Sequence, residues 1–117
     1  MNNKISIMCQ YNMSAIPCNI NNKEDIYIWM GLPNEDSKQH RIKVVNKLNN
    51  CDPKTSVFTI LIPQMMVIGN INKDIFNNDI INDIISYINL NMNTILDFSN
   101  DKTDLSQLLD NLKPYNR

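Results

Sequence analysis

The feature that most constrains the fold is an apolar stripe with helical spacing in the second half of the chain. Five large apolar residues recur every four positions: Phe76, Ile80, Ile84, Ile88 and Met92. Asn, Asp and Ser fill most positions on the opposite side. This pattern predicts one amphipathic helix of roughly 17–20 residues, and such a helix must bury its stripe against another layer of the fold.

The ends and the polar side of this helix can also be predicted. Asn70 or Asn72 can cap its start, because a short polar side chain there can accept a hydrogen bond from an unpaired backbone N–H. Asp79 and Asp83 lie four residues apart and are expected on the side that faces solvent. The acidic helix is therefore predicted to be buried on one side only.

A second, shorter helix is predicted near the C-terminal end of the sequence. Asp101 or Thr103 can cap it, and Pro114 prevents further growth. Its apolar stripe consists of leucines: Leu105, Leu108, Leu109 and Leu112.

The first half of the chain has the period of strands rather than helices. Apolar and polar residues alternate in several short segments, which is typical of half-buried strands. These segments are 5–7, 26–30, 42–44, 57–62 and 66–71. Segment 57–62 is apolar on both faces and is predicted to be an inner strand that ends at Pro63. The loops at 31–37 and 49–53 are too short for a crossover helix, so the strands are expected to be antiparallel neighbours.

The predicted fold is therefore α+β and occupies residues 1–117 as one domain. It consists of an antiparallel β-meander of four to five strands, followed by one long amphipathic helix and one short C-terminal helix packed on the sheet.

Composition excludes most catalytic machinery. Two Gly residues cannot make a dinucleotide fingerprint, a phosphate-binding loop or a nucleophile elbow, and one His cannot make a site that needs two imidazoles. The three cysteines, Cys9, Cys18 and Cys51, form no C-x-x-C pair. We therefore expect no catalytic residues, no metal and no cofactor.

With no export signal and no apolar run long enough to span a membrane, we expect reduced thiols, a cytoplasmic protein and no membrane contact.

A basic strand and the loop before it form the predicted partner-binding surface. Five Lys or Arg and one Asp lie between Lys38 and Lys54, although the whole chain has a net charge of −1. The candidate binding residues are Tyr27, Trp29, Gly31, Glu35, Asp36, His40, Arg41, Lys43 and Lys47. Alternation places Tyr27, Trp29, Arg41 and Lys43 on the outward face of the sheet. His40 is expected on the surface at a strand start.

The C-terminal part also resembles a known family. Residues 81–100 and 104–114 contain a helix, an Asn, an apolar pair and a short helix that ends in Leu-Lys. His40 at a strand start and the Gly69 turn fit the same pattern. Over about two thirds of the chain, the sequence resembles a small bacterial family of unknown function often found beside toxin–antitoxin genes. The resemblance implies a meander with C-terminal helices and no established activity. Ser99 stands where the family usually has Trp, so Phe98 is expected to pin the short helix.

Three functions follow as hypotheses. The first is a small non-enzymatic protein-binding module of a mobile element, prophage or toxin–antitoxin-like locus, with an inhibitor of a bacterial defence system as one form. Its 21 Asn and 18 Ile fit an A/T-rich genome, such as that of a low-GC bacterium or its phage; if the protein is phage-encoded, it would act in the host cytosol. The second is an RNA-binding or RNA-cleaving toxin that uses the basic strand from His40 to Lys47. The third is a structural protein that forms a homodimer or larger homo-oligomer.

Overall fold

The described part of the chain forms one antiparallel sheet followed by three helices. The computed structural model describes residues 14–30, 40–46, 58–71, 73–74 and 76–117. The strands are β1 Ser14–Ile20, β2 Lys23–Met30, β3 His40–Asn46, β4 Phe58–Ile62 and β5 Met66–Ile68, and the helices are α1 Asn78–Leu90, α2 Met92–Ser99 and α3 Leu105–Asn111. Each strand pairs with its neighbours in sequence, in the order β1-β2-β3-β4-β5. The predicted α+β fold with an antiparallel meander is confirmed.

The core lies between one face of the sheet and the helices. The register places Ile16, Ile28, Val44 and Phe58 side by side across four strands. These residues are at most 2% exposed, and they belong to the same buried cluster as the apolar side of the helices. Because side chains alternate along a strand, the residues between them point to the opposite face.

The strand β1 was not predicted. Its sequence contains Pro17, which has no backbone N–H and therefore argues against an inner strand. Because β1 lies at the edge of the described sheet, a proline is tolerated there. The strand predicted at 5–7 and the loops predicted at 31–37 and 49–53 lie outside the described residues.

Within the described residues, the strand β4 matches its prediction, whereas β5 is shorter than the predicted segment 66–71. The strand β4 is an inner strand between β3 and β5, and it ends immediately before Pro63. The strand β5 covers three residues, and Gly69 follows it with a φ of 103°. A residue with a side chain would be strained at that φ, which explains glycine at this turn.

The long helix begins later than predicted and is interrupted. Its N-cap is Asn77, whose side chain accepts a hydrogen bond from the backbone N–H of Ile80 at 2.9 Å, so Asn70 is not the cap and Asn72 lies outside the described residues. Phe76 precedes the helix and packs its ring edge against Phe58, with centroids 5.4 Å apart. Phe76 therefore continues the four-residue spacing two positions before α1 without being helical, because its side chain belongs to the same buried core.

The interruption is at Asn91, which separates α1 from α2. Asn91 is 2% exposed. Its side chain donates to the backbone oxygens of Tyr87 and Lys113, each at 3.0 Å, and accepts from the backbone N–H of Lys113 at 2.7 Å. This one side chain therefore fixes the segment that follows α3 against the end of α1.

The short helix α3 has the predicted leucine stripe but a different cap. Asp104, rather than Asp101 or Thr103, accepts from the backbone N–H of Gln107 at 2.8 Å, and the Gln107 side chain accepts from the backbone N–H of Asp104 at 2.9 Å. This reciprocal pair is a capping box. Asp101 instead takes a left-handed φ of 61° in the connection between α2 and α3.

After α3 the chain returns to the edge of the sheet. The backbone N–H of Tyr115 donates to the Asn19 oxygen at 2.9 Å, and the Tyr115 oxygen accepts from the Asn21 N–H at 2.8 Å. Tyr115 thus forms a parallel bridge beside Ile20. This contact brings the C-terminal segment next to the β1–β2 turn, where the cleft described below is found.

Candidate functional site

The two aromatic residues of the predicted binding surface are buried. Tyr27 is 6% exposed and Trp29 is 0% exposed. The alternation of β2 does place them on the sheet face turned away from the helices, but the prediction that this part of the face is open to solvent is wrong. Val45, which pairs with Tyr27, is buried as well. The physical reason is that alternation identifies a face and carries no information about what covers it.

The two cations of that face remain accessible. Arg41 is exposed and Lys43 is partly exposed. The register forms one cross-strand row of Arg41, Leu61 and Met66, and a second row of Lys43, Thr59 and Ile68. We call Arg41, Lys43, Leu61, Met66 and Ile68 the outer patch.

The outer patch combines apolar and basic groups. Met66 is 55% exposed, and it is one of two large apolar side chains that are exposed among the described residues. Leu61 and Ile68 beside it are partly exposed. Exposed apolar atoms beside two cations are suited to contact with another macromolecule. Gly31, Glu35, Asp36 and Lys47, which were predicted to join this surface, lie outside the described residues.

His40 has a different position from the one predicted. It is 8% exposed and lies between the sheet and α2, where its Nδ1 and the Ser99 Oγ are 2.6 Å apart. The prediction of a surface histidine is therefore wrong. A Ser–His pair can act as a nucleophile and its base, but Ser99 is only 3% exposed, so its hydroxyl is not open to a substrate. The pair holds α2 to the start of β3.

Phe98 and Ser99 are the last two residues of α2, and both side chains contact the rest of the fold. Phe98 is partly buried and packs against the core. Ser99 adds a polar contact to the same region. The end of α2 is thus held by one apolar and one polar side chain.

A cleft lies where the β1–β2 turn, the start of α1 and the C-terminal segment meet. It has a volume of about 350 Å³. Its apolar lining comes from Cys18, Ile20, Ile26, Phe76 and Ile80. Its polar lining comes from Asn21, Lys23, Asp25, Asn46, Asp83 and Arg117. We call it the Asp83 cleft.

The carboxylate of Asp83 is buried in this cleft, so the prediction that Asp83 faces solvent is wrong. Its Oδ1 lies 3.1 Å from the Arg117 Nε, and its Oδ2 accepts from the Asn21 side chain at 3.2 Å. The Arg117 side chain is 56% exposed, while that of Asp83 is 6% exposed. A buried carboxylate needs such partners, because an unpaired charge away from water is costly.

Asn46 contributes a polar atom that the described residues leave unsatisfied. Its side-chain oxygen is buried and accepts no hydrogen bond from any described residue. A buried polar atom without a partner costs about 1–3 kcal/mol, so it requires an explanation. Asn46 lies at the end of β3, pairs with Ile26 of β2 and is one of the residues that line the Asp83 cleft.

Local sequence patterns contain little indication of this cleft. Asp83 follows Ile80 by three positions and precedes the buried Tyr87 by four, which places it at the edge of the apolar stripe. That spacing was a usable signal for partial burial. Arg117 had no comparable signal because its partner Asp83 is distant in sequence, and the place of Asn46 in the cleft depends on the pairing of β3 with β2.

Metal binding and membrane insertion are two further properties on which the described residues bear. No group of three or more His, Cys, Asp or Glu within the described ranges could hold a metal ion. None of the three described helices has the length and apolar character needed to cross a bilayer. Cys18 is a buried thiol, while Cys9 and Cys51 lie outside the described residues.

The chain was compared with known proteins in three ways. No protein-family model, no curated protein and no solved structure matches it. The function must therefore be argued from the geometry of the outer patch and of the Asp83 cleft.

Proposed function

We propose that this protein is a non-enzymatic protein-binding module and that the outer patch is its binding surface. The observation that carries the proposal is the cross-strand row of Arg41, Leu61 and Met66, in which an exposed cation, a partly exposed leucine and a half-exposed methionine are direct neighbours. Met and Arg are both enriched in protein interfaces.

The chemistry of the patch indicates the kind of partner. Covering an exposed Met side chain contributes up to about 1.5–3 kcal/mol, and Met adapts its shape to irregular pockets. Arg41 and Lys43 favour acidic groups at the rim of that pocket and accelerate encounter with them. The partner we propose has an apolar pocket bordered by Asp or Glu.

The same geometry supports protein over RNA as the partner. The RNA hypothesis relied on aromatic stacking by Tyr27 and Trp29 and on His40 as a general base. All three side chains are buried. Arg41 and Lys43 alone give few phosphate contacts, and the net charge of the whole chain is −1.

The wider setting of this proposal comes from the sequence. The small size, the A/T-rich residue usage and the resemblance to a family near toxin–antitoxin genes favour a mobile element or prophage. In that setting, we propose that the protein binds a bacterial defence protein and inhibits it. A second copy of this chain is the alternative partner.

The experiment compares two variants that each place a charge on an exposed apolar residue. Met66→Asp alters the outer patch, whereas Leu90→Asp alters the other exposed large apolar residue, which lies at the end of α1. Each tagged protein is used to capture partners from host lysate, and the recovered proteins are quantified. Captured candidates are then purified and their affinities measured by calorimetry.

We expect one partner whose affinity falls at least tenfold with Met66→Asp and stays within about twofold with Leu90→Asp, where tenfold is about 1.4 kcal/mol. We also expect the affinity to fall as salt is raised, because Arg41 and Lys43 contribute charge. If binding is unaffected by Met66→Asp, or if light scattering identifies the partner as a second copy of the chain, the proposal is wrong.

A further inference from the structure

We propose that the Asp83 cleft binds a small organic cation, an amidinium or guanidinium group on an apolar body, and that this cation displaces the Arg117 side chain from Asp83. The binding activity is separate from the proposed protein contact, because no residue of the outer patch lines the cleft.

The carboxylate of Asp83 forms part of the cleft wall. Its two oxygens contact two different residues that also line the cleft: Oδ1 lies 3.1 Å from the Arg117 Nε, and Oδ2 accepts from the Asn21 side chain at 3.2 Å. The Asp83 side chain is 6% exposed. A carboxylate with so little water around it interacts more strongly with a cation than an exposed carboxylate does. Asp83 is therefore the group in this wall that is best suited to hold a positively charged ligand.

The cation that now pairs with Asp83 can be exchanged. The Arg117 side chain is 56% exposed, so water and salt compete with it for the carboxylate. The Arg117 backbone is held separately, because its N–H donates to the Asn21 side-chain oxygen at 2.9 Å. The side chain can therefore move into solvent while the C-terminal segment stays in place.

The charges around the cleft favour a ligand with one positive charge. The described residues that line it include four charged side chains: Lys23, Asp25, Asp83 and Arg117. These charges balance while Arg117 is in place and leave a net charge of −1 once its side chain has moved away. A monocation restores the balance, whereas an anion would meet the unpaired carboxylate.

The size and the apolar wall define the rest of the ligand. The volume of about 350 Å³ lies at the lower end of the range of about 300–1,000 Å³ found for ligand pockets. Ile26 of β2 and Ile80 of α1 line the cleft and are partly exposed, so a ring or short alkyl chain would bury their apolar area. Amidinium and guanidinium groups are flat and present paired N–H donors that match a carboxylate.

The experiment measures the binding of two probes of the same shape by protein NMR on the full chain. Benzamidine carries an amidinium on an aromatic ring, and benzamide carries an uncharged amide in its place. Each probe is added up to about 10 mM, a range that detects fragment affinities. Chemical-shift changes are followed at the backbone amides of Ile26 and Ile80 and at the Nε–H of Arg117.

We expect benzamidine to shift all three signals and to bind at least tenfold more tightly than benzamide. Asp83→Asn, which keeps the size of the side chain and removes its charge, should weaken benzamidine binding at least tenfold. Arg117→Gln should strengthen benzamidine binding about threefold or more, because the internal competitor for Asp83 is removed. An ion pair with a structural role alone would give no such gain.

The control variant is Asp79→Asn, which removes the same charge from an exposed position of α1 outside the cleft. It should leave benzamidine binding within about twofold of the original protein. The proposal is overturned if benzamidine does not shift the cleft amides, if benzamide binds as tightly, or if Asp83→Asn weakens binding no more than Asp79→Asn does. Unchanged or weaker binding of benzamidine by Arg117→Gln also overturns it, whether or not Asp83→Asn folds.

Discussion

The side chain of Asn91 connects the two ends of the helical layer, and its removal gives a large predicted loss of stability. The variant Asn91→Ala eliminates three hydrogen bonds, two to Lys113 and one to the Tyr87 oxygen. It also leaves the backbone groups of Lys113 without their partner in a partly buried position. The change is confined to one side chain, since Ala is compatible with the helices on both sides.

The magnitude follows from these contacts. A typical hydrogen bond contributes about 1 kcal/mol net, so the three bonds amount to about 3 kcal/mol. For a chain of 117 residues, the entropy of unfolding is about 0.25 kcal/mol/K, taken as about 2.1 cal/mol/K per residue. The melting temperature should therefore fall by about 12 °C.

Thermal melting followed by circular dichroism and urea unfolding at 25 °C together measure this effect. The urea midpoint should fall while the dependence of the unfolding free energy on urea stays the same, because the folded state remains equally compact. The matched control is Asn89→Ala, an exposed position on α1, which should leave stability unchanged or slightly raised. A loss below about 1 kcal/mol for Asn91→Ala would refute the reasoning.

Two further variants test polar contacts of the helical layer. Ser99→Ala should lower the free energy of unfolding by about 1–2 kcal/mol in urea titrations, because it removes the hydroxyl that contacts the Nδ1 of the buried His40. Arg117→Ala should lower it by about 1 kcal/mol at low salt, because the buried Asp83 loses its cation. The Arg117→Ala loss should shrink at about 1 M NaCl, since Arg117 is largely exposed to solvent and salt.

Matched controls distinguish these effects from general surface changes. Ser106→Ala alters an exposed serine of α3 and should change stability by less than about 0.5 kcal/mol. Arg41→Ala removes an exposed cation from the outer patch and should be equally mild. An equal loss for Ser99→Ala and Ser106→Ala would contradict a role for the His40 contact, and a salt-independent loss for Arg117→Ala would contradict the ion pair with Asp83.

The strands and helices were predictable where their signal was local. The isoleucine spacing of α1 and the alternation of β2, β3 and β4 depend only on residues a few positions apart, and short loops determined that the strands pair in sequence order. The start of α1 was not predictable from spacing, because Phe76 contributes to the same core without being helical. The break at Asn91 depends on Lys113, which is 22 positions away.

The candidate sites were less predictable, because the contacts that form them join residues far apart in the sequence. The alternation of β2 identified the face that holds Trp29, but burial depends on the whole fold. His40 and Ser99 are 59 positions apart, and neither gives a local sign that they meet. The burial of Asp83 depends on Asn21 and Arg117, which come from the sheet and the C-terminal segment. Arg41 and Lys43 were placed correctly because they alternate with apolar residues on β3 and charged side chains are rarely buried without a partner.

The return of the C-terminal segment to β1 has a consequence for folding kinetics. The strands of the meander pair with sequence neighbours and close small loops, which is rapid. By contrast, the hydrogen bond from the Arg117 N–H to the Asn21 side chain joins residues 96 positions apart, so its loop closure costs far more entropy. We therefore expect this contact to form after the rate-limiting step. Weakening it would mainly accelerate unfolding and leave the folding rate almost unchanged.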